Sequence, residues 1–171
     1  GTTAGTVQVK DINPGAEGSN PRYLINSNGI IYFVADDGVN GVELWRSDGT
    51  QDGTQLVLNI SRRIISVSKG GDGNTIYFSA SITSCNYELW KSDGTEAGTY
   101  QIRDIMQGEE GSYPRHIIII DGTVYFSADD GINGCELWKS DGTAFGTLLV
   151  KDIFPGPIGS EPDNFTVVNG S

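Results

Sequence analysis

Apolar residues in this chain come in short runs, separated by turns rich in Gly, Asn, Asp and Ser. Val7 and Val9 alternate with polar neighbours, as a half-buried strand requires. Pro14 to Pro21 is a loop by composition, Pro-Gly-Ala-Glu-Gly-Ser-Asn-Pro. The following runs predict strands over Arg22–Asn26, Ile30–Ala35, Val42–Ser47 and Thr54–Ile60. Asn28-Gly29, the stretch from Asp36 to Gly41, and Asp48-Gly49 turn the chain between them. No window keeps a helical period between caps, so the chain is expected to be all-β.

The pattern then returns. Glu43-Leu44-Trp45-Arg46-Ser47-Asp48-Gly49-Thr50 is followed by Glu88-Leu89-Trp90-Lys91-Ser92-Asp93-Gly94-Thr95. A third copy runs Glu136-Leu137-Trp138-Lys139-Ser140-Asp141-Gly142-Thr143. A period near 48 residues marks a repeat array. The third repeat, Gly94 to Asp141, matches the first without gaps. The second is three residues shorter. It replaces the Pro-Gly…Gly-Ser-x-Pro loop with Ser61 to Gly71, and the Asp-Asp-Gly turn with Ser81 to Ser84. The fourth stops where its Tyr-Phe strand should begin.

Four short strands in about 48 residues is the content of one β-propeller blade. The expected architecture is a propeller-type array of four-stranded antiparallel blades, about three and a half repeats long. Blades are predicted over residues 21–60, 62–105 and 114–153. Residues 1–12 read as the outer strand of a preceding blade, and residues 162–169 as the inner strand of a following one. Closed propellers usually have about four to eight blades. The chain is therefore expected to be an excerpt of a longer repeat protein, to complete a ring or filament with other copies, or to stand as an open array. The last is disfavoured, because unpaired sheet edges invite aggregation.

The recurring Glu-Leu-Trp-x-Ser-Asp-Gly-Thr resembles the bacterial repeat family named ELWxxDGT. The resemblance spans nearly the whole chain. It implies a large secreted or surface-attached bacterial protein with propeller-like repeats, and it carries over no catalytic residue.

Net charge changes the picture by exclusion. At −11 and a pI near 4.3, the chain has no means of neutralising a run of phosphates, so nucleic acid is excluded as a partner. Anionic membrane surfaces are disfavoured for the same reason. No apolar stretch approaches the roughly 20 residues of a membrane span, and no membrane insertion is expected. The chain has neither an initiator Met nor a signal-peptide pattern, so a processed or excerpted chain is expected. Cys85 and Cys135 sit in consecutive repeats, where either free buried thiols or a disulfide fits the spacing.

Chemistry is sparse. Asp36, Asp37, Asn40 and Glu43 place four oxygen side chains in one turn, as do Asp129, Asp130, Asn133 and Glu136. Calcium takes about six to eight oxygen ligands on a flexible loop, which makes these the candidate metal ligands and calcium the candidate cofactor. Asp, Asn and Gly are equally the residues that close hairpin turns. Ser-Asp-Gly-Thr reads as a folding motif. The tryptophans are expected to fill space between blades, with sugar stacking as the alternative. His116 is the single histidine, and no partner orients it as a base. The second repeat alters both loops of one face and brings Arg62, Arg63 and Lys69 close to it, which makes them candidate partner-binding residues.

The leading functional expectation is a non-catalytic extracellular or cell-surface repeat module for adhesion, matrix or filament building, stabilised by calcium. Self-association into a ring or filament is the expected partnership. The alternatives are a glycan-binding, lectin-type propeller and the non-catalytic part of a larger secreted enzyme. No enzymatic activity is expected of the chain itself.

Overall fold

The protein is described from a computed structural model. It describes residues 1–59, 63–69, 73–83 and 85–168, without the side chains of Arg63, Ser66 and Lys69. The described residues build three four-stranded antiparallel sheets. The first holds β1 (Arg22–Ser27), β2 (Ile30–Asp36), β3 (Val42–Ser47) and β4 (Gln55–Leu58). The second holds β5 (Arg63–Lys69), β6 (Ile76–Ser81), β7 (Tyr87–Ser92) and β8 (Tyr100–Arg103). The third holds β9 (Arg115–Ile120), β10 (Thr123–Asp129), β11 (Cys135–Ser140) and β12 (Leu148–Lys151). Each sheet is a simple meander in chain order. A single 3₁₀ turn, Thr3–Gly5, is the helical content among the described residues. Neither Val7 to Ile12 nor residues 162–168 are strands. A strand exists through its ladder, and neither segment has a neighbouring strand to pair with.

Local chemistry sets the register. Asn28-Gly29 and Asp121-Gly122 both take left-handed backbone (φ 49° and 82°, 48° and 78°), the geometry of a two-residue hairpin turn matched to strand twist. These turns set Ser27 opposite Ile30 and Ile120 opposite Thr123. In the next hairpin of each sheet Phe33 lies opposite Trp45, Phe78 opposite Trp90 and Phe126 opposite Trp138. Alternation then sends Tyr32, Val34 and Leu44 to one face of the first sheet, and Phe33, Ala35 and Trp45 to the other.

The sheets stack face against face, with the innermost strands β1, β5 and β9 as successive neighbours. Tyr32, Val34, Leu44 and Val57 of the first sheet pack against Ile76, Phe78, Ala80 and Trp90 of the second. The second seam repeats the first. Tyr77, Leu89, Ile102 and Ile105 meet Val124, Phe126, Ala128 and Trp138. The core therefore lies between sheets, as expected for a repeat array that buries surface against its neighbours.

Candidate functional site

Each repeat carries one glutamate with no solvent exposure: Glu43, Glu88 and Glu136. A buried carboxylate demands donors, and two of the three have them. Glu88 accepts from the amides of Ile105 (3.1 Å), Met106 (3.3 Å) and Ser112 (3.0 Å), and from the Ser112 hydroxyl (2.6 Å). It thereby ties the loop that links the second and third sheets. Glu136 accepts from the Phe154 amide (3.0 Å) and the Ser160 hydroxyl (2.5 Å). Burial pushes both carboxyls up. At Glu136 the hydrogen bonds, Ser160 first, outweigh it and the pKa falls below its ordinary value; at Glu88 burial prevails and the pKa rises.

Glu43 differs. Neither of its carboxylate oxygens has a partner among the described residues. The second repeat lacks the Gly-Ser loop whose Ser112 hydroxyl serves Glu88, and the counterparts of Ile105 and Met106, residues 60 and 61, lie outside the described residues. Burial, followed by the negative charges of Asp37 and Asp36, lifts Glu43 to about 7.

The acidic turns are closed by their own backbone. Asp37 accepts from the Val39 and Asn40 amides and the Asn40 side chain, and Asp36 accepts from the Gly38 amide. Asp129, Asp130 and Asn133 repeat this arrangement. Among the described residues, no three or more His, Cys, Asp and Glu side chains converge on one point. The structure brings each acidic turn beside a Gly-Ser loop, through Asp36 N to Ser19 O and Asp129 N to Ser112 O, both 2.9 Å.

The Ser-Asp-Gly-Thr motif is a second closed network. Asp48 accepts from the amide and hydroxyl of Thr50, while the Ser47 hydroxyl bonds Thr54 at 2.7 Å. The same bonds recur at Asp93 and at Asp141. Across a seam, the motif's glycine receives the tyrosine of the preceding sheet. The Tyr32 hydroxyl lies against Gly94 and the Tyr77 hydroxyl against Gly142, with Arg46 and Lys91 alongside. Arg46 adds its positive charge beside Asp93, and Lys91 beside Asp141.

The three indoles are buried, so they offer no stacking platform to solvent. Trp90 and Trp138 fill the two seams. Trp45 lies on the outer face of the first sheet, under Ile12 and the Lys10 ammonium. His116 stands edge-on to Phe165. Cys85 and Cys135 are both free thiols. Arg62 lies outside the described residues, and Arg63 and Lys69 are placed on β5 by backbone alone.

The residues that sequence reasoning passed over are those of the two end faces. Ile31 is 38% exposed, whereas its counterparts Ile76 and Val124 are fully buried. On the far side of the third sheet, Val150 is 44% exposed against 5% for Val57 and Ile102. Leu137 is half-buried, although Leu44 and Leu89 are sealed. One end thus presents the Phe-Trp side of a seam and the other the Tyr-Leu side.

No family model matches the chain, and no curated protein matches it. Among solved structures, a gluconolactonase from Xanthomonas campestris is similar, at 16% identity and a TM-score of 0.48. The likeness covers 80% of this chain and 48% of that one. It corrects two expectations. A non-catalytic extracellular repeat module, and the absence of enzymatic activity, were expected; the similar structure is that of an enzyme, and neither expectation is carried forward. A likeness this distant assigns no activity to the chain.

Proposed function

We propose that the chain is a propeller-type array of four-stranded blades that self-associates through its two end faces. The observation that supports this reading is their complementarity. The first sheet leaves Ile31, Leu24 and Gly49 without a neighbouring sheet, and the third leaves Tyr125, Leu137 and Val150. These are the same two halves that meet at both internal seams. Exposed apolar area of this kind marks an association surface. The pairing is heterologous, so copies close into a ring or extend as a filament.

Light scattering over a concentration series tests this. Mass is expected to rise with concentration above the 18.3 kDa of one chain. Ile31→Lys should hold the chain at that mass while its circular dichroism is unchanged. A native chain that scatters as 18.3 kDa at every concentration removes the reading.

A further inference from the structure

The outer face of the first sheet is partly covered by the chain's own amino-terminal segment. The Lys10 ammonium donates to the Thr54 carbonyl at 2.7 Å, and Ile12 packs on Phe33 and Trp45. At the seam between the second and third sheets, Arg103 of β8 makes the same bond to the Thr147 carbonyl, again 44 residues on. Lys10 therefore stands where the last strand of a preceding sheet would stand, and Val9 where its Val or Ile would.

The carboxyl-terminal side of the third sheet carries the same sequence. Residues 5–21 and 146–162 share Gly-Thr, Val-Lys-Asp-Ile, Pro-Gly, Gly-Ser and Pro at matching places. Their backbones agree at and just past the end of the loop, although Gly159 holds φ at 74° where Gly18 does not take positive φ. Asn20 and Glu161 have φ 46° and 49°, and Tyr23 and Asn164 have φ 54° and 51°. The two segments differ in how they are held. Residues 148–151 are a paired strand, and Glu136 ties down Phe154 and Ser160. Residues 7–12 pair with no strand, and the Ser19 hydroxyl and the Ile12 and Asn13 amides have no carboxylate to meet among the described residues. A groove of about 220 Å³ is left between this segment and the sheet, lined by Val9, Pro21, Leu24, Ile31 and Phe33.

We infer that residues 5–21 are a displaceable cap, and that residues 146–162 of a second copy take their place when the third sheet of that copy docks. This rests on the self-association proposed above and names its partner surface and its regulation. The incoming sheet brings what the cap lacks. Tyr125 meets Gly49, which has open space where Gly94 and Gly142 have a tyrosine. Lys139 comes beside Asp48, as Arg46 stands to Asp93. Leu137 and Val150 fill the groove, and Glu136 arrives already bonded to its own Gly-Ser loop. Residues 163–168 of the incoming copy, which form no strand, give way to β1. Cap and partner compete for one surface, so the cap sets the concentration at which copies join.

The decisive experiment is a titration of the full chain, isotopically labelled, with an unlabelled peptide of residues 146–162, followed by amide NMR. Signals of residues 5–12 are expected to move saturably to unfolded positions as those of Trp45 and Thr54 shift. A peptide carrying Lys151→Ala and Ile153→Asp should do neither. Signals of 5–12 that stay fixed at saturating peptide overturn the cap. Light scattering of the Val9→Asp, Ile12→Asp variant of the 171-residue chain gives a second reading. It should associate at about tenfold lower concentration than the native chain, and association no easier than native also overturns the cap. Peptide exchange without any rise in mass would keep the cap and sink the association. A rise in mass with residues 5–12 still docked would do the reverse.

Discussion

The hydroxyl of Tyr32 rests against Gly94, one sheet away, and leaves no room there for a side chain. Gly94 also holds φ at 88°. One residue thus answers two demands, a turn inside its own sheet and a close approach by its neighbour. Gly49 holds φ at 90° with open space around it. Gly94→Ala is expected to cost about 2–4 kcal/mol, and Gly49→Ala about 1 kcal/mol, the backbone share alone. Urea denaturation of the two variants measures the difference. Equal losses would mean that Tyr32 yields freely.

Glu43 should make stability fall as pH rises. Its carboxyl titrates near 4.5 when the chain is unfolded and at about 7 when folded. Between those values the folded state holds a proton that the unfolded state has released, so each step upward favours unfolding. The contribution is complete below pH 4.5 and has gone once pH passes about 7. Glu43→Gln should flatten this slope and be the more stable protein at pH 8. Urea midpoints at pH 5 and pH 8 decide it, and a native midpoint no more pH-dependent than that of the variant refutes it.

Glu88→Ala is expected to destabilise by about 3–5 kcal/mol, because it strands the amides of Ile105 and Ser112 in a closed seam. Thermal melting measures the loss. Hydrogen exchange at those two amides should quicken before global unfolding does, and unchanged local protection would place the loop's support elsewhere.

Asp130→Ala removes three acceptor contacts from a turn and should cost about 1–2 kcal/mol. The loss is expected to be the same with millimolar calcium as with chelator, since the carboxylate serves amides. A melting temperature that rises with calcium in the native chain and not in the variant would instead give the turn a metal.

Strands and turns were legible because their causes are local. Two-residue alternation, Asn28-Gly29 and Asp48-Gly49 act within a few residues. The strands of the three sheets lie close to the expected bounds, whereas Val7 to Ile12 and residues 162–168 pair with no strand and form none. The role of Glu43, Glu88 and Glu136 was not. Beside Asp-Asp-Gly-x-Asn-Gly, Glu43 and Glu136 read as extensions of an acidic turn, and Glu88 has no such turn before it, whereas the strand carries all three inward. A signal existed in the spacing, since Glu88 to Ser112 and Glu136 to Ser160 are both 24 residues. The end faces were hidden for another reason. Ile31 and Ile76 occupy the same repeat position, and only the presence of a neighbouring sheet separates them.

Every seam in this protein is written with the same few side chains, Tyr and Leu on one side and Phe and Trp on the other. Such an interface recognises its kind without counting. An in-frame duplication of about 48 codons would insert a sheet whose two faces already fit their neighbours. A deletion of the same size would leave no mismatched surface behind. The length of the array is thus open to change by recombination alone, ahead of any adaptive substitution in the core.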